Sequence, residues 1–157
     1  AVGARGGEMA LKMASEYRGF RAMIACEPAP HEFLRLRPDN TARINPETGL
    51  LDVERMLLRE PEKVRPRTTE EIARERMQPI ETPIFVQRRD SDELQGIFRV
   101  CYDLLVELGK PARWASYAHD VHGFVYVTRN ADGVYAPDAV QHRAVADSIA
   151  WFGEWLK

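Results

Sequence analysis

Pro83-Ile84-Phe85-Val86-Gln87 opens the stretch, running on to Phe124, that decides the fold. These five residues are a short apolar run and read as a strand. An acidic loop follows, Asp90-Ser91-Asp92-Glu93. Leu94, Ile97, Phe98, Cys101, Leu104, Leu105 and Leu108 then recur at helical spacing and form one apolar face. Gly109 falls where a helix C-terminus favours a left-handed residue, and Pro111 prevents continuation. Arg113 to Ala118 reads as a second strand, delivering the loop His119-Asp120-Val121-His122-Gly123-Phe124. Two strands joined by a helix are expected to be parallel, with a right-handed crossover. Both loops then lie at the carboxyl edge of the sheet, where open α/β sheets keep their sites. An acid and a histidine at that edge are two of the three members of a nucleophilic triad.

Upstream, Arg21 to Cys26 contains the continuous apolar run Ala22-Met23-Ile24-Ala25-Cys26, as expected of a strand buried on both faces of a parallel sheet. Glu27 follows at its carboxyl end, as a substrate-side acid or as an ion-paired loop acid. Before it, Ala1-Val-Gly-Ala-Arg-Gly-Gly7 leads into a helix with Met9, Ala10, Leu11, Met13 and Ala14. Pro28 to Glu81 differs in texture, holding most of the prolines and many arginines and glutamates. Helices are expected over Asp52 to Arg59 and Thr69 to Gln78, the second capped by Thr68 or Thr69 with Glu70 and Glu71 in its first turn. Pro38-Asp39-Asn40 and Asn45 to Gly49 read as turns, and His31 as a packing residue. Arg35, Arg37 and Arg43 offer either a site for an acidic substrate or a charge-balanced solvated face. Downstream, Asn130 to Gly133 is a turn, and Asp138 caps a last helix whose packing face is expected to be Val145, Ile149, Phe152 and Leu156.

Composition excludes several classes. The 157 residues are 45% hydrophobic and 29% charged, with a formal net charge of −2, so the chain has no polycationic footprint for nucleic acid. No apolar run approaches the roughly 20 residues that cross a membrane. Cys26 and Cys101 read as buried free thiols rather than a disulfide or metal pair. No metal site and no cofactor is expected. The cluster Asp90 to Glu93 could gather a divalent cation, but it lacks the spacing of a calcium loop.

Asp92 followed by His122-Gly-Phe, after strand, helix and strand, resembles the C-terminal half of an α/β-hydrolase, closest to the dienelactone-hydrolase and prolyl-oligopeptidase-like group. The resemblance covers nearly the whole chain. It implies a mostly parallel sheet with flanking helices over residues 1–157, interrupted by a small cap insertion over residues 28–81. It also implies a nucleophile elbow, Gly-x-Ser-x-Gly, at the start. On that pattern Val2 replaces the first glycine, Ala4 stands at the serine position and Gly6 matches the last glycine. The resemblance makes Asp92 the orienting acid, His122 the base and the Arg5 backbone N–H an oxyanion donor. Asp90 and His119 are the rival acid and base, and Asp92 has the alternative reading of a plain helix N-cap. The implied reaction is cleavage of an ester, thioester or amide through an acyl-serine. Alanine at position 4 makes the chain inactive as written, or marks a ligand-binding or interaction protein on the same fold.

The family's central strands precede the elbow. The resemblance therefore implies a missing N-terminal half, supplied in the same molecule or by another chain, as the partner of the strand Ala22–Cys26. An unpaired apolar edge is an association hazard, and residues 1–157 alone are expected not to be a stable monomer. No leader is visible, and a cytoplasmic location is favoured without weight from that absence.

Overall fold

In a computed structural model that describes residues 5–37 and 58–157, strand β2 (Ile84–Arg89) lies between β1 (Met23–Cys26) and β3 (Ala112–Tyr117). Both pairings are parallel, with Met23 beside Ile84 and Ile84 beside Ala112. Parallel neighbours need a crossover from one end of the sheet to the other. Helices α2 (Pro61–Val64) and α3 (Glu70–Met77) lie in the first crossover, with a short 3-10 turn, Arg65–Arg67, between them. Helix α4 (Gln95–Glu107) forms the second, α1 (Arg5–Glu16) precedes the sheet and α5 (Ala139–Trp155) follows it. The chain is thus an α/β arrangement with a small parallel sheet and flanking helices.

The strand period of two sorts β2 between two layers. Ile84 and Val86 join Leu11, Ala14, Ile97, Phe98, Leu104 and Met77 in the main core. Phe85 turns to the other face and meets Trp151 of α5, ring centroids 5.6 Å apart. Gln87 shares that face and is buried. Its amide donates to Ala144 O and Ser148 Oγ, both at 3.0 Å, and to Tyr117 Oη at 3.3 Å. Tyr117 in turn donates to Asp147 Oδ2 at 2.7 Å.

That polar seam corrects the expected face of the last helix. Ile149 and Leu156 are 67% and 61% exposed and Val145 is exposed too, whereas Ala144 and Trp151 are buried. A buried amide left without partners costs about 1–3 kcal/mol, so α5 turns the Ala144 carbonyl and Ser148 toward Gln87. The side chains of Asp138 and Gln141 complete a reciprocal capping box at its start.

Other boundaries moved slightly. α1 begins at Arg5, so Gly6 and Gly7 belong to its first turn rather than preceding it. α4 starts after Leu94. Thr69 holds the N-cap position of α3, but its hydroxyl donates to Arg35 O instead of capping. Gly109 adopts φ 67°, and Lys110 N–H returns to Leu105 O, which ends α4 as expected. Cys26 and Cys101 are buried free thiols, and burial pushes the Cys26 thiol up to about 12. Ala4, Arg43, the turns at 38–40 and 45–49 and positions 52–57 of the expected helix lie outside the described residues. No helix among the described residues is long and apolar enough to cross a membrane.

Gly7 shows how tightly α1 lies on the end of β1. A Cβ there would stand 2.6 Å from Pro28 Cα. Gly7→Ala should gain about 1 kcal/mol of helix propensity and lose more, up to about 3 kcal/mol, to overpacking against backbone. Urea unfolding should therefore show a net loss; a gain would mean that α1 is not held against Pro28.

Candidate functional site

Three parallel strands present three loops at one carboxyl edge, and each loop contributes one ionisable group. Glu27 follows β1, Asp92 follows β2 and His122 follows β3. They converge. His122 Nδ1 lies 3.1 Å from Asp92 Oδ2 and 3.3 Å from Glu27 Oε2. Both carboxylates are buried, while the His122 side chain is 42% exposed.

Arg89, the last residue of β2, holds the two acids together. Its Nε is 3.0 Å from Asp92 Oδ2 and 3.4 Å from Glu27 Oε1. Its guanidinium also donates to Asp120 O in the histidine loop. Asp92 Oδ1 accepts the Leu94 N–H at 2.8 Å, so this residue both ties down the turn before α4 and faces the imidazole. Asp92 is not the N-cap of α4, a position held by Leu94; its Oδ1 ties the preceding turn while its Oδ2 faces the imidazole.

Burial alone would push both carboxyls up. For Asp92 the Leu94 N–H, His122 and Arg89 together outweigh it, and the group sits below its usual range. For Glu27 burial prevails over the Gly123 N–H and the charges of His122 and Arg89, and the group sits above its usual range. One guanidinium thus faces two buried acids beside the imidazole.

The rival residues are engaged elsewhere. Asp90 is exposed and accepts from Ser116 Oγ across the strand ends. His119 Nδ1 accepts the Val121 N–H at 3.0 Å, so Nε2 carries the ring proton and points at Asp138 Oδ2, 3.1 Å away. The ring also stacks on Phe124. His119 thereby fastens the histidine loop to the start of α5. Glu93 pairs with Arg59. The acidic run Asp90 to Glu93 therefore disperses rather than gathering into a cation loop.

Glu27, Asp92 and His122 each offer one ligand atom, all within 4.8 Å of one another. Arg89 already lies on both carboxylates, and a cation would have to compete with that fixed charge. Arg5 is the first residue of α1. A separate cleft of about 660 Å3 between α1 and the Glu32–Phe33 turn includes none of these residues.

Sequence reading found Asp92 and His122 and left Glu27 open between two roles. Arg89 was missed. Its signal was present, because an apolar strand that runs on into Arg88-Arg89 beside an acidic loop places cations against acids. No protein-family model matches the chain, and no curated protein matches it.

Arg89→Met should cost about 3–5 kcal/mol at neutral pH, the usual penalty for removing one partner from a buried charge cluster. Glu27 titrates above its usual range, so lowering the pH through that raised value neutralises an acid the variant has stranded. The stability gap to wild type should therefore narrow in urea melts as the pH falls through that raised value. A loss that does not shrink on acidification would show that Arg89 does not balance the two acids.

Proposed function

We propose that the chain carries the acid–base machinery of a serine hydrolase of the α/β-hydrolase type, acting on an ester, thioester or amide. The observation that carries this reading is the meeting of Asp92 and His122 at 3.1 Å, from loops after successive parallel strands. The Gly-rich start of α1 precedes both in the chain, the order that the resemblance requires.

In this reading Asp92 holds Nδ1–H of His122 and fixes the tautomer that leaves Nε2 as acceptor. Nε2 takes the proton of a serine hydroxyl at position 4 as the oxygen attacks the carbonyl. The imidazolium then gives that proton to the leaving group, and water repeats the sequence to release the acyl group. The Arg5 N–H stabilises the oxyanion. A methyl group has no acidic proton to lose and no lone pair to attack with, so Ala4 removes the first step.

The open side of β1 belongs to the same proposal. Among the described residues no strand lies beyond it, and Met9 and Met13 are exposed on the helix that packs on β1, with exposed Tyr17 just past its end. In the α/β-hydrolase reading the sheet continues there. The alanine itself favours a second reading, in which the same fold binds a ligand without turnover.

The two part company on one experiment. Ala4→Ser in the full-length protein should hydrolyse p-nitrophenyl acetate above the alanine background. Adding Asp92→Asn should then lower turnover about ten-thousand-fold with folding preserved, as in other triads, while Asp90→Asn changes it little. No gain from Ala4→Ser would favour the binding reading, and the reverse ranking of the two aspartates would move the acid to Asp90.

A further inference from the structure

Glu27 is the buried acid that the Asp–His couple leaves unused. Its backbone has φ 43°, in the left-handed region that side chains other than glycine rarely adopt. Strain of this kind persists where surrounding contacts over-determine it, and it concentrates at functional sites. Those contacts are specific. Oε2 accepts the N–H of Gly123, the residue after His122, and lies 3.3 Å from His122 Nδ1. Oε1 makes no hydrogen bond and has only the 3.4 Å approach of Arg89. A buried carboxylate with so little direct pairing is costly, and a neutral side chain of the same shape would pack as well.

We propose that Glu27 is a positioning residue that shares the Nδ1 proton of His122 with Asp92. The inference rests on the assignment of His122 as the base. Nδ1–H is hydrogen-bonded to Asp92 Oδ2 at 3.1 Å, and Glu27 Oε2 stands 3.3 Å from the same nitrogen, where a small turn of the ring makes it a second acceptor. The two come from loops after different strands, so the ring is held from two directions rather than hinged on one. The charged groups facing it are Glu27 from the end of β1, Asp92 from the loop after β2 and Arg89 from β2 itself. The Nδ1 proton stays on the ring throughout, and only Nε2 gains and loses one. Because Oε2 also takes the Gly123 N–H, Glu27 sets the imidazole and the following backbone together.

The test uses the chain with Ala4 in place and reads solvent exchange of the His122 Nδ1–H by proton NMR at neutral pH. Glu27→Gln keeps a carbonyl for Gly123 but removes the charge. Exchange should speed up roughly tenfold, the lower end of what a hydrogen bond to a charged group is worth, with the Gly123 amide resonance nearly in place. Asp92→Ala should retain a detectable Nδ1–H signal that the Asp92→Ala, Glu27→Gln double variant loses. Unchanged exchange in Glu27→Gln, whatever the Gly123 amide does, overturns the proposal. So does complete loss of the signal in Asp92→Ala alone. Should Asp92→Ala not fold, Glu27→Gln decides by itself. No substrate or nucleophile enters, so an inactive Ala4→Ser protein would count against the hydrolase reading and leave this result standing.

Discussion

Everything at the carboxyl edge depends on the placement of one guanidinium between two buried acids. Arg89 Nε reaches Asp92 and Glu27 together. A lone buried carboxylate tends to give up its charge rather than remain ionised. Here one cation serves two acids beside the His122 imidazole, and residues from all three strand ends meet in this cluster.

The sheet makes that arrangement possible. Parallel pairing in the order β1-β2-β3 brings the three post-strand loops to one edge, and α4 turns away at Leu94, where the Asp92 carboxylate takes the backbone N–H. On the opposite face the Gln87 amide fixes how α5 lies, through Ala144 and Ser148. His119 then links the histidine loop to the cap of that helix through Asp138. The loop carrying His122 is thus tied at several points, among them His119 to α5, the Asp120 carbonyl to Arg89 and the Gly123 N–H to Glu27. At the far end, Arg65 and Arg74 pair with Glu70 and Glu107 and fasten the first crossover to α4. The Glu107 carboxyl falls to about 2 through hydrogen bonds from those two arginines.

Local pattern made the skeleton legible. The apolar run at Ile84–Val86, the helical spacing from Ile97 to Leu105 and the Gly109-Pro111 stop each state one structure, and the structure follows them. Asp92 and His122 were legible because parallel strands force successive loops to one edge. What the pattern could not convey was partnership between distant polar groups. Gln87 reads as the polar end of a strand, yet its amide rotates α5 and exposes Ile149 and Leu156 instead of burying them. Arg89 reads as a surface charge until both acids are placed around it. Glu27 stays open between a substrate-side acid and an ion-paired loop acid, because its left-handed backbone and its contact with Gly123, far along the chain, leave no trace in neighbouring residues.

The proposal makes His122, backed by Asp92, the base for a serine at position 4. It is tested most directly by covalent trapping. A fluorophosphonate reacts only with a serine whose proton is removed as it attacks. The Ala4→Ser protein should form a one-to-one adduct, located at position 4 by peptide mass spectrometry, and His122→Ala in that background should abolish it. No adduct, or labelling that persists without His122, would contradict the account.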